Sequence, residues 1–195
     1  VSCINQKGAE SLRALTSIHS EIDKKPHLYY LGFGISNYRD TSYNLNYAAK
    51  DIIDLSQLFK LYGEKKYEKV FIQTYTDKEV NIENIRKSKE LLKNARPQDI
   101  FVLHIAGHGL HDKTSNADYY FLSYGSDTAH LAQSAIKFET FEEILDGIAP
   151  RRKLFLMDAC ESGEMDESET FAMNNAGVEH GLKFRGFINT NKNAS

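Results

Sequence analysis

Seven consecutive residues, Ile100 to Ala106 (IFVLHIA), carry no charge and only one polar side chain, a histidine. An apolar run of that length, without polar alternation, suits a strand covered on both faces. Such strands belong to parallel sheets with helices on each side. His27 to Gly32 (HLYYLG) and Lys153 to Met157 (KLFLM) read the same way, and Tyr67 to Tyr75 is a further strand. Helical patterns separate them. In 47–62, Ala48, Ile52, Leu55, Phe59 and Tyr62 form one inner stripe, and Gly63 suits the C′ position. Thr76 and Asp77 can cap a helix over 81–95 that turns Ile82, Ile85, Leu91 and Leu92 inward and closes at Pro97. Asp118 to Ser123 is strand-like, and Phe138 to Ile148 is a third helix. The order β-α-β-α-β-(β)-α-β predicts an α/β fold with a mainly parallel sheet and right-handed crossovers.

A chain of 195 residues suits one domain with a short linker. It is long enough to bury a core without disulfide or metal staples. The formal net charge of −3 lacks the basic excess of a nucleic-acid binder. No apolar run approaches the roughly 20 residues that span a bilayer, and no secretory signal pattern opens the chain. Cys3 and Cys160 do not make a disulfide framework, so a reducing, cytoplasmic setting is expected. The chain opens on Val1 and reads as an excised piece. Residues 1–26 read as a lead-in from an upstream domain, with Leu12, Leu15, Ile18 and Ile22 at helical spacing before Pro26. Residues 27–163 read as the folded α/β domain. Residues 164–195, acidic at first and without periodicity, read as a mobile linker.

In an open parallel sheet, ligands bind beyond the carboxyl ends of the strands. The third strand runs out into Gly107-His108-Gly109, and the fourth into Asp158-Ala159-Cys160-Glu161-Ser162-Gly163. Parallel strands bring both ends to one rim, where glycine-flanked loops are expected to present a histidine and a cysteine. A thiolate attacks a carbonyl, and an imidazole can take the thiol proton and return it to the leaving amine. His108 stands 52 positions before Cys160, a separation of the kind seen in caspases.

These residues resemble the paired signatures of caspase-like cysteine peptidases, nearest to metacaspases and bacterial caspase homologues. Ala106-Gly107-His108-Gly109 resembles the histidine motif, and the segment from Asp158 to Gly163 resembles the cysteine motif. Gly34-Ile35-Ser36-Asn37-Tyr38 and Leu45 to Asp51 resemble two further motifs of the first strand and helix. The resemblance spans about residues 28–163 and implies a three-layer caspase-like sandwich. It also implies an endopeptidase with a His108/Cys160 dyad and an oxyanion hole from the Gly109 and Cys160 N–H groups. Asp51 and Asp158, with Ala106, would form the substrate pocket. Two carboxylates there would repel an acidic side chain and welcome Arg, then Lys. The family normally continues beyond the cysteine strand with a smaller, p10-like portion. Only 35 residues follow Cys160, so that portion is expected as a separate chain or further segment. Cutting near Lys183 or Arg185 would separate the two, as in a zymogen.

Other readings compete. Gly32-Phe33-Gly34 fails as a dinucleotide loop, because Asn37 stands where the third glycine belongs. His104, His108 and His111 lack a strong zinc spacing. Asp112, Asp118 and Asp127 could contribute to calcium activation, but no calcium motif contains them, and no cofactor is expected. A separase-like relative under a sensor domain, or an inactive interaction module, are the alternative functions.

Overall fold

All seven residues of β1, Leu28–Gly34, are buried, as their apolar sequence requires. The computed structural model describes residues 6–8, 25–111 and 118–161, with Cys160 and Glu161 described by their backbone alone. Five more strands follow: β2 Val70–Thr76, β3 Ile100–His111, β4 Tyr119–Phe121, β5 Ile136–Lys137 and β6 Arg152–Glu161. The helices are α1 Ala48–Gly63, α2 Ile82–Ser88, α3 Leu131–Ser134 and α4 Glu139–Leu145.

β1 lies between β2 and β3, parallel to both, with Leu28 opposite Val70 and Ile100. β6 runs parallel to β3 from Ile100↔Arg152 to Gly109↔Glu161. β1 ends at Gly34↔Ala106, and antiparallel β4 then takes over the edge of β3 at Gly109↔Phe121. Because Gly109 pairs with both Phe121 and Glu161, β4 and β6 flank it on opposite sides. β5 pairs antiparallel with β4. The sheet is thus mixed, with a parallel centre.

Strand alternation sorts the core into two faces. Leu31, Phe33, Leu103 and Ile105 join Ile85 of α2 and Phe141 and Ile144 of α4. Leu28, Tyr30 and Val102 face Leu55 and Phe59 of α1, and Ala106 packs with Ala48 and Ile52. The result is the expected three-layer α/β sandwich. α1 approaches β1 closely. A Cβ on Gly34 would stand 2.7 Å from the Ala48 carbonyl oxygen, and one on Gly32 would stand 2.6 Å from Ile52 Cγ2. These glycines bring the first turns of α1 down onto the carboxyl end of the sheet.

Several elements differ from expectation. Tyr62 is exposed rather than on the inner stripe of α1. The chain continues right-handed through Glu64, so Gly63 is the last helical residue and not a left-handed C′ cap. Its missing side chain instead leaves room for Val70, whose Cγ2 would lie 2.6 Å from a Cβ. Ile82, the first residue of α2, is exposed. The helix expected over 81–95 narrows to a 3-10 turn after Ser88 and stops at Leu92, before Pro97. The third helix stops at Leu145, and Gly147 follows with φ 63°. Strand β5, two residues long, is too short for any periodicity to announce. The apolar residues Leu154 to Met157 of β6 are half-buried rather than fully buried, because β3 is the only described strand beside them. The lead-in helix over 12–22 and the linker over 164–195 lie outside the described residues.

Candidate active site

The register of two parallel strands builds the site. His108 on β3 is the direct partner of Cys160 on β6, and Ala106 is the partner of Asp158. Adjacent strands lie about 4.8 Å apart, so these backbone positions are immediate neighbours. The sequence suggested flexible glycine-flanked loops here. Gly107–Gly109 and Asp158–Glu161 are instead strand, because β4 and β6 carry the pairing of β3 beyond Ala106, while Ser162 and Gly163 lie outside the described residues. The glycines serve space rather than mobility. Gly107 has φ 155°, and a Cβ there would lie 2.8 Å from Phe121 Cζ and 3.1 Å from Tyr38 Oη. A Cβ on Gly109 would run into the Tyr119 ring and hydroxyl.

His108 is buried and gripped from two sides. Its backbone N–H donates to Tyr38 Oη at 3.1 Å. Its Nε2 lies 2.8 Å from the Tyr43 carbonyl oxygen. A carbonyl only accepts, so Nε2 carries the proton, and Nδ1 is the basic nitrogen of the neutral ring. The rings of Tyr38 and Tyr43 stand 5.3 and 5.9 Å from the imidazole, centroid to centroid. Burial holds the His108 pKa below the ordinary histidine value, opposed by the hydrogen bond to the Tyr43 carbonyl. The imidazole is therefore neutral at pH 7, with Nδ1 as the nitrogen that can accept a proton. Tyr43 was not legible as a partner, because a backbone carbonyl leaves no mark in sequence. Tyr38 is visible only as the last residue of the Gly34–Tyr38 motif.

Asp51 lies in the first turn of α1 and is half-buried, while Asp158 is exposed. Burial raises the Asp51 carboxyl pKa, and the charges of Asp158 and Asp54 add to it against Lys50. The two carboxylates are thus electrostatic neighbours, although only one of them is partly covered. Ala106 is fully buried beneath Ala48 and Ile52, so its side chain forms floor rather than exposed pocket wall. Lys183 and Arg185 lie outside the described residues.

The three histidines of the zinc reading are engaged separately. Tyr30 Oη lies 3.1 Å from the Ile52 carbonyl and 2.9 Å from His104 Nδ1. Its single proton goes to the carbonyl, so Nδ1–H of His104 donates to the hydroxyl oxygen. Burial pushes the His104 pKa down to about 4. His108 holds the Tyr43 carbonyl, and His111 packs on the Tyr119 ring at 4.9 Å. Of the acids considered for calcium, Asp127 pairs with His130 and Asp118 with Lys137, while Asp112 lies outside the described residues. Among the described residues, no group of three or more His, Cys, Asp or Glu could hold a metal ion. Nor is any described helix long and apolar enough to cross a membrane.

The parallel-centred α/β sheet thus places a histidine and a cysteine as register partners near its carboxyl edge, an arrangement that could support thiol chemistry. Comparison with known families makes this specific. The caspase domain model matches residues 31–191, and the chain belongs to that family of cysteine peptidases. A crystal structure of a protein from Geobacter sulfurreducens shares the fold, with a TM-score of 0.54 and 17% sequence identity. The match covers 76% of this chain and 56% of that one. No curated protein matches the sequence.

Proposed function

We propose that this chain is the catalytic portion of a metacaspase-like cysteine endopeptidase that cleaves proteins after Arg, and after Lys less readily. The observation that carries the reading is the pairing of Cys160 with a neutral His108 whose Nε2–H is committed to the Tyr43 carbonyl. That commitment leaves Nδ1 as the base. In the proposed reaction Nδ1 takes the Cys160 thiol proton, and the sulfur attacks the scissile carbonyl carbon. The Gly109 and Cys160 N–H groups receive the oxyanion. Both residues stand on paired strands, so this role requires the last rungs of the β3–β6 ladder to yield donors to the substrate. Collapse breaks the C–N bond, and the imidazolium returns its proton to the leaving amine. Water then hydrolyses the acyl-enzyme with His108 again as base.

Asp51 and Asp158 support the choice of a basic side chain, because each raises the cost of bringing a third carboxylate near. The half-buried apolar residues of β6 support a smaller, p10-like segment along its far edge, since an apolar edge with no partner strand among the described residues invites pairing. Maturation near Lys183 or Arg185, a regulatory upstream domain and a cytoplasmic setting complete the reading, which assigns no cofactor. Cys160→Ala should abolish cleavage, and His108→Ala should reduce it by several orders of magnitude. Matched peptides that differ only before the scissile bond should rank Arg, Lys, then Asp in kcat/KM. Cleavage by Cys160→Ala, or faster turnover of the Asp peptide, would overturn the mechanism or the specificity respectively.

A further inference from the structure

The two groups that grip His108, Tyr38 Oη and the Tyr43 carbonyl, both belong to the loop between β1 and α1. That loop has no regular strand or helix to fix it beyond one 3-10 turn at Thr41–Tyr43. Its anchor comes from outside. Asp77, the residue after β2, accepts the Ser36 N–H at 2.8 Å and the Asn37 N–H at 2.9 Å through Oδ1. Its Oδ2 accepts the Asn37 side-chain N–H at 2.8 Å. Asp77 is also the only described non-glycine residue with positive φ, at 50°. Aspartate tolerates that conformation poorly compared with glycine, and such strain persists only where the surroundings fix it.

We propose that Asp77 is a positioning residue of the active site, fixing the 35–46 loop so that the loop can hold the His108 imidazole. The chain of contacts is continuous. Ser36, held by Asp77, receives the Ala49 N–H on its Oγ at 2.9 Å and the Leu45 N–H on its carbonyl at 2.8 Å. The loop is thereby closed onto the first turn of α1 at one end and onto Leu45 at the other. Within it, the Tyr38 N–H donates to Asn44 Oδ1 at 2.8 Å, and the Tyr43 N–H donates to the Asp40 carbonyl at 3.2 Å. Tyr38 and Tyr43 then meet His108 from two directions. Burial keeps the Tyr38 hydroxyl protonated. A strained aspartate at this point has a reason, since glycine would accept φ 50° but anchor nothing.

This inference rests on the peptidase reading for its catalytic consequence, but not for its structural one. Asp77→Gly relieves the backbone strain and removes the carboxylate, and Asp77→Asn retains an acceptor and the turn. Nitrogen-15 NMR of the full chain reads the His108 tautomer and titration whether or not any peptide is cleaved. Wild type should show a single Nε2–H tautomer. Asp77→Gly should show mixed tautomers and a His108 titration moved up towards the ordinary histidine value, with Asp77→Asn between the two. With an Arg peptide, Asp77→Gly should lower kcat about 10- to 100-fold with little change in KM. The acid limb of its pH profile should move with the NMR titration. Tyr38→Phe in the Asp77→Gly background should then cost less than it does alone. An unchanged His108 tautomer and titration in Asp77→Gly would overturn the proposal, as would an altered His108 in an enzyme of undiminished kcat. If wild type cleaves no peptide while the NMR change appears, the positioning role stands and the peptidase reading fails. If Asp77→Gly does not fold, Asp77→Asn and Tyr38→Phe carry the same NMR test, and no change in either overturns it.

Discussion

Two carboxylates, Asp51 and Asp158, lie as electrostatic neighbours near the rim of the sheet. Asp51 is half-buried beside Asp158 and Asp54, and its raised pKa records the cost of keeping it ionised there. A carboxyl whose folded pKa lies above its unfolded value weakens the fold once pH rises through that range, and at pH 7 the whole penalty is present. Asp51→Asn should therefore raise the melting temperature at pH 7 and lose that advantage in acid, where the wild-type carboxyl is protonated. The same substitution should lower kcat/KM for an Arg peptide by tenfold or more. A lower melting temperature at pH 7 would show that Asp51 is held by favourable contacts instead. Asp158→Asn should reduce Arg-peptide turnover far more than it changes alkylation of Cys160 by a small uncharged electrophile. His108 obeys another rule: its depressed pKa follows from burial, and its tautomer from a carbonyl 65 positions away in sequence.

At the scale of elements, the seat of α1 on β1 decides where Asp51 comes to lie. Gly34 has no space for a side chain, because a Cβ would meet the Ala48 carbonyl oxygen at 2.7 Å and Ala49 Cα at 2.9 Å. These are backbone atoms of the first helical turn and cannot rotate away. Gly34→Ala should thus cost about 2 kcal/mol, within the usual range for overpacking, and lift the amino end of α1 from the sheet. Urea unfolding measures the first effect, and loss of Arg-peptide turnover the second. Gly63→Ala offers the contrast, since there the close atom is a methyl group of Val70. Relief to ordinary contact needs a shift of about 1 Å, which a side-chain methyl gives more readily than helix backbone, so the cost should be smaller. Equal losses at the two positions would refute this account of how α1 is seated.

For the whole molecule, polar groups buried at the amino end and in the middle of the sheet make stability fall with acid. At the amino end, Asp99 is fully buried and accepts the His27 N–H at 2.8 Å, the Arg96 N–H at 2.8 Å and Arg96 Nη2 at 2.9 Å. Burial pushes its carboxyl up, but Arg96 and the His27 N–H outweigh this and hold it below the usual range. Its contribution is present at neutral pH and is lost as pH falls through the carboxylate range. His104, with a pKa pushed down to about 4 from 6.5, acts earlier. Unfolding lets it take a proton anywhere between those values, so stability falls as pH drops through that window and the loss is complete near pH 4. The linkage amounts to roughly 3 kcal/mol. Denaturant titrations at pH 7 and 4.5 should show the loss, and His104→Phe should reduce it. An equal loss in that variant would exclude His104 as its source.

The sequence alone determined the alternation of strands and helices, because apolar runs and helical stripes are local patterns set by side-chain spacing. It also determined the two segments that carry the candidate site, since His108 and Cys160 both lie just past apolar runs. Where the reading failed, the cause was not local. Tyr62 and Ile82 repeat at the right spacing, yet each stands at an end of its helix and is exposed. Gly107 and Gly109 look like loop residues until β4 and β6 close on either side. The grip on His108 by Tyr38 and the Tyr43 carbonyl, and the grip of Asp77 on their loop, join segments 40 to 70 positions apart. A backbone carbonyl or a positive φ has no residue code of its own, so only the tertiary structure could decide which groups meet.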